Sequence, residues 1–220
     1  MEIRKEEKGF TLIETITKIG GKKMKALKGK KGFTLIEVIV ILAVIAILAA
    51  VLSPMIIGYI SDARKTAAAS DVKTIATAVQ AFNRDMKDWP IWAAGTARTS
   101  ADTKYEGLQS NEGDTPAVSG ATIIIPTSID YTDDQLVTNA PVYPTTGRSK
   151  WIGPYLETVK QDPWGNKYYI DVKGLQPANV GGSMVVYVVS AGPNKTLETA
   201  FAQAGPSVTI GGDDIVFRIK

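Results

Sequence analysis

Hydrophobic positions change their spacing twice along the chain. Residues 38–52 read VIVILAVIAILAAVL without a polar interruption, and beyond Ser53 and Pro54 the apolar character continues through MIIGYI. Between Phe33 and Ile60 the single charge is Glu37. A helix needs about 20 mostly apolar residues to cross the hydrocarbon layer, so this stretch predicts a membrane helix over residues 33–60. Further on, Val72, Ile75, Val79, Phe82, Met86 and Trp89 recur at three- and four-residue spacing, with Asp71, Lys73, Arg84, Asp85 and Lys87 between them. One apolar stripe at helical period predicts an amphipathic helix over residues 61–89, laid against a sheet and stopped by Pro90. The stripe lasts only about three heptads, which disfavours a coiled coil.

After Pro90 the helical period disappears. Residues 90–150 are rich in Ser, Thr, Gly, Asp and Pro and predict an ordered surface loop with short elements. ATIII, Ala121 to Ile125, suggests a small strand, and TDDQ, Thr132 to Gln135, has the capping-box pattern for a short helix through Val137. In residues 151–220, DPWGN is punctuated as a turn, with Asp162 and Pro163 opening it and Gly165 and Asn166 suited to positive φ. KYYIDV, MVVYVVS and DIVFRI are three β-rich stretches separated by glycine-rich turns, which predicts a small antiparallel sheet. The fold class is α+β, a long N-terminal helix whose second half packs on that sheet.

Composition narrows the chemistry. The formal net charge of +3 hides an asymmetry: residues 1–32 hold ten Lys/Arg against four Asp/Glu, and residues 33–220 hold fifteen against eighteen. A basic leader followed by an acidic body argues against nucleic-acid binding, which needs a basic face on the folded domain. Basic residues just before an apolar run favour a cytoplasmic N-terminus, with the rest of the chain on the far side of the membrane. Cysteine and histidine are both absent, which excludes disulfides, thiolate nucleophiles, Cys/His zinc sites and histidine general bases together. A membrane-tethered enzyme would have to rely on carboxylates such as Asp162 and Asp171. An Asp beside a turn or on a strand exterior is usually just solvated, so no enzymatic activity is expected. The chain also has no GxxxxGK[ST] phosphate loop, so any mechanical work must come from a separate ATPase.

The heptapeptide KGFTLIE occurs at Lys8 to Glu14 and again at Lys31 to Glu37. The first copy runs into TITKIGGKKMK, whose glycines and lysines cannot span a membrane, whereas the second opens the apolar helix. LAAVLSP could be read as an ordinary signal cleavage site, but the apolar run is long for a signal core. KKGFTLIEVIVILAVIAILAAVLSP closely resembles the prepilin-type N-terminus shared by type IV pilins and type II secretion pseudopilins. By that resemblance a membrane prepilin peptidase cuts after Gly32 and methylates the new N-terminus at Phe33. Residues 1–32 are then a leader, in which Met24 could start the portion 24–32 and residues 1–23 look like an upstream extension.

A carboxylate in a membrane helix is costly unless paired. The resemblance implies that Glu37 neutralises the N-terminal amine of a neighbouring subunit as the filament assembles; by itself it could also be an interfacial residue that snorkels to water. Pro54 removes a hydrogen bond and is expected to kink or melt the helix, in a zone where related filaments extend theirs.

The stretch GPYLE…DPWGNKYYI, followed by the Ser-x-Gly element Ser190 to Gly192 and an Asp-rich final strand, is similar to the major pseudopilin, the G subunit of type II secretion. That resemblance implies a homopolymeric periplasmic pseudopilus, anchored in the inner membrane before assembly, with minor pseudopilins and an inner-membrane assembly platform as partners. A surface type IV pilin is the alternative, although its usual C-terminal disulfide loop has no counterpart in a chain without Cys. The G class also implies bound calcium, for which Asp213, Asp214, Ser190 and Asn194 are the candidates. The loop GPNKTLETAFAQAGPSVTIGGDD departs from the short glycine-rich loop of that class, with Glu198 as a compensating carboxylate.

Overall fold

A computed structural model describes residues 32–93, 104–120, 123, 125–176, 184–201, 203–205 and 207–220. The leader up to Lys31, with the first KGFTLIE copy, and most of the strand expected at Ala121–Ile125 lie outside the described residues. The chain divides at Leu52/Ser53 into two compact units. Helix α1, Leu35–Met86, contributes its first part to one unit and the remainder to the other, and it stays helical through Pro54.

α1 ends three residues before the expected Trp89. Lys87 takes a left-handed conformation, φ 54°, and donates its N–H to Asn83 O at 2.8 Å. A residue in that conformation just past the last turn satisfies orphan carbonyls and stops the helix. Asp88 then accepts from the Trp89 N–H (2.8 Å) and from the Trp92 indole (2.9 Å), which turns the chain away.

The expected stripe is real and wider than the large residues alone suggest. Val72, Ile75, Val79, Phe82 and Met86 are buried, and Ala68, Ala76 and Ala78 are buried beside them. Phe82 meets the rings of Tyr143 and Tyr155 edge-on, with centroids 4.8 and 5.5 Å away.

The sheet is mixed rather than purely antiparallel. Its five strands are β1 (Gly107–Gln109), β3 (Ile129–Tyr131), β4 (Tyr169–Asp171), β5 (Tyr187–Ser190) and β7 (Ile215–Arg218), in the order β3-β1-β4-β5-β7. β4, β5 and β7 pair antiparallel as expected, and β1 joins β4 antiparallel, but β1 and β3 are parallel. Both of these come from the segment read as loop. Three-residue strands are too short to show a period, so nothing in GLQ or IDY announces them. A second, two-stranded parallel ladder joins β2 (Ala117–Val118) to β6 (Thr196–Leu197).

β5 is buried on both faces. Val186 and Val188 join the core under α1 with Ile170 and Val172. Val185, Tyr187 and Val189 point the other way, into a second core with Tyr169 and Leu197, against which Phe201 and Val208 pack. The long loop after Gly192 is therefore the cover of the second sheet face. MVVYVVS carried the signal, because an unbroken apolar run marks a strand buried on both sides.

The helix expected at Thr132 is present as α2, Thr132–Leu136, but its capping box is not formed. Tyr131 is the N-cap without a side-chain bond, and the Thr132 hydroxyl donates instead to Gln109 O on β1 at 3.0 Å. Gln135 is fully buried, donating to Trp92 O and to Asp130 while accepting from the Tyr143 hydroxyl.

Candidate functional site

Two places carry the candidate residues. The first is the start of α1. Gly32 and Phe33 precede the helix, Phe33 is exposed, and a Cβ added to Gly32 would meet nothing within 4 Å. Among the described residues nothing gives a packing reason for glycine there. Glu37 lies in the first turn of α1, and its N–H donates to Thr34 Oγ1 at 3.3 Å. Thr34-x-x-Glu37 is thus a helix start as well as part of the motif, and a carboxylate in the first turn also faces the positive end of the helix dipole. From Leu35 to Ile60 the large apolar side chains are exposed, and no residue of the most apolar window is buried. α1 is long and apolar enough to cross a membrane.

The second place is the loop system between β5 and β7. Asp213 Oδ2 accepts from the Asn194 N–H (3.1 Å), and the Asn194 amide donates to Glu198 Oε2 (2.9 Å). Asp214 Oδ2 accepts from the Glu198 and Thr199 N–H groups at 2.9 and 2.6 Å. The second oxygen of each aspartate, Asp213 Oδ1 and Asp214 Oδ1, is buried with no hydrogen-bond partner. Burial holds the Asp214 carboxyl above its ordinary value; bonds from Thr199 and Glu198 oppose this, and the Glu198 charge adds to it. Close backbone approach is built in at two glycines. Gly192, φ 66°, lies against Asp213 O, and Gly212, φ 47°, lies against the Glu198 carboxylate, so a side chain at either would collide.

The structure therefore brings Asp213, Asp214, Asn194 and Glu198 together. Ser190 faces elsewhere: buried on β5, it donates to Asp162 Oδ2 at 2.7 Å and accepts from the Gly192 N–H at 3.3 Å. Asp162 Oδ1 accepts from the Trp164 and Asn166 N–H groups, closing the DPWGN turn, in which Gly165 but not Asn166 has positive φ. Asp162 and Asp171 are both buried rather than solvated. Asp162 is committed to that turn, and Asp171 accepts from the Lys173 N–H. Among the described residues no three carboxylates converge as a ready-made metal cluster. A cation bound near Asp213 and Asp214 would have to complete its shell with amide or backbone oxygens, which calcium accepts.

Comparison with known families separates the same two regions. Residues 27–53 match the prokaryotic N-terminal methylation motif. Residues 131–200 match the type II secretion system protein G family. The chain is a pseudopilin-type subunit of type II secretion. No curated protein and no solved structure matches it. This kind of protein is structural rather than enzymatic, and the family implies assembly into a pseudopilus with other secretion components. The apolar helix behind the methylation motif is consistent with an inner-membrane anchor. The G-family match of this pseudopilin includes Ser190, Asn194 and Glu198 and stops at Ala200, before Asp213 and Asp214.

Proposed function

We propose that this pseudopilin is cut between Gly32 and Phe33, methylated on the Phe33 amine, and polymerised as the major subunit of a periplasmic pseudopilus. Before assembly it sits in the inner membrane with its leader in the cytoplasm. The observation that carries this reading is the exposed, largely apolar run from Leu35 to Ile60, in which Glu37 is the one charge, directly behind a glycine that packs against none of the described residues. Buried in a bilayer or among neighbouring helices, that surface is satisfied, and Glu37 then needs a cationic partner, which the Phe33 amine of an adjacent subunit supplies. The role of Pro54 is to leave the Ala50 carbonyl without its helical donor, so that this part of α1 rearranges at low cost during assembly.

Intact-mass measurement on the full chain, expressed with and without prepilin peptidase, tests the reading. The expected product begins at Phe33 and carries one methyl group. A product cut after the apolar run, near LAAVLSP, would sink it.

The head is further proposed to hold calcium through Asp213 and Asp214, with Asn194 and Glu198 contributing oxygens and Ser190 orienting the loop from Asp162. Two buried carboxylate oxygens without donors support a cation there. Bound calcium would offset the charge of Asp213 and Asp214 and supply the partner that their second oxygens lack. Melting the detergent-solubilised chain in EDTA, in calcium and in magnesium checks this, with a rise specific to calcium expected; saturation at a thousand times the dissociation constant adds about 4 kcal/mol.

A further inference from the structure

The segment between β1 and β3 touches the carboxylate loop and the DPWGN turn through its backbone. Ala117 N–H donates to Lys195 O at 3.2 Å and Ser119 N–H donates to Leu197 O at 3.0 Å, which registers Ala117 with Thr196 and Val118 with Leu197. A few residues earlier, Asp114 N–H donates to Gly165 O (2.8 Å) and Lys167 N–H donates to Asp114 O (2.9 Å). Gly113, φ 107°, lies so close to Asn166 that an added Cβ would sit 2.7 Å from its carbonyl carbon. The same short stretch thus holds both loops.

Ala117 and Val118 have exposed side chains, so β2 does not pair with β6 in order to bury apolar surface. What the ladder fixes is the main chain from Lys195 to Leu197, the arm whose flanking residues Asn194 and Glu198 reach Asp213 and Asp214. Lys195 holds φ at 60°, a left-handed conformation that a lysine adopts only when its surroundings impose it. The Glu198 charge acts unfavourably on the Asp214 carboxyl, which the arm's own N–H groups hold. Cation affinity depends on how rigidly the ligands are held in place beforehand.

We propose that residues 111–120 form a strap that presets the 194–198 arm for an oxygen-seeking divalent cation, so that affinity is set by a backbone ladder outside the loop that binds. The proposal rests on the calcium reading above. The strap lies outside the segment matched to the G family, residues 131–200.

Calorimetric titration of the full chain in detergent with calcium chloride, after removal of metal by EDTA, tests it. Ser119→Pro deletes one rung of the ladder. Val118→Pro puts the same ring where strand alternation points the N–H to the other side. Ser119→Pro is expected to raise the calcium dissociation constant about tenfold, the usual scale for a residue that supports metal ligands, while Val118→Pro stays within about twofold. The melting midpoint in EDTA should not move in either. Should Ser119→Pro also lower that midpoint, Ala117→Gly combined with Val118→Gly decides, because it retains every N–H and only loosens the strand: weaker calcium binding at an unchanged midpoint supports the strap. Wild-type affinity in the variant whose fold is intact overturns the strap and leaves the calcium site standing. Absence of any calcium response in the unmodified chain overturns both.

Discussion

The two parts of α1 use apolar residues in opposite ways. From Leu35 to Ile60 the helix is apolar all round and buries none of its large side chains in the chain itself. From Ala68 to Met86 it carries one stripe, and that stripe is buried under the sheet. The first part has a greater density of apolar residues and contributes nothing to the internal core; the second has fewer and organises it. Periodicity, more than amount, decides whether apolar surface serves the fold or is left for a membrane and for other subunits.

The sharpest way to break that contrast is at Gly32. Gly32→Val should abolish processing, read as a full-length precursor by mass, while the head melts as before. A lowered melting midpoint would mean that the start of the helix contributes to the fold after all. Next in size is Phe82→Ala, which removes the ring between Tyr143 and Tyr155 and should cost about 3–5 kcal/mol in denaturant unfolding. Its counterpart Leu48→Ala, on exposed surface, should stay within about 0.5 kcal/mol. Equal losses at the two positions would erase the distinction.

Asp162→Ala tests whether the polar interior matters on the same scale as the stripe. It strands the donors of Trp164, Asn166 and Ser190 and should cost about 3 kcal/mol by the same measurement. The smallest effect is a pH dependence. Because burial raises the Asp214 carboxyl above its ordinary 3.8, the metal-free head draws stability from the protonated form below that value and loses it as pH rises through the raised one. Calcium needs the deprotonated form, so its affinity should climb through the same window, by at most about tenfold per pH unit, and then level off. A flat titration of affinity against pH would remove Asp214 from the ligand set.

Legibility followed the same division. The long apolar segment and the three C-terminal strands could be read as apolar or β-rich runs, and the stripe as a helical period. The helix end at Met86 could not, since it depends on Lys87 adopting a left-handed turn and on Asp88 capping two tryptophan N–H groups, neither of which composition announces. Thr132 looked like a cap and serves as a bridge to β1. Of the candidate cation residues, Ser190 was named only through the family resemblance, and in the fold its hydroxyl donates to the buried Asp162.

By itself the sequence determined the long apolar segment behind the KGFTLIE motif, the stripe that follows it and the chemistries that zero Cys and zero His exclude, because these depend on runs, spacings and residue types, while the class of the head rested on resemblance. Only the tertiary structure decided that β1 and β3 enter the sheet from an apparent loop, that the long segment after Gly192 covers its second face, and that Asp213 and Asp214 meet Asn194 and Glu198 with two carboxylate oxygens left over. Those outcomes depend on contacts between residues far apart in the chain, where no local period records which backbone amide will reach which oxygen.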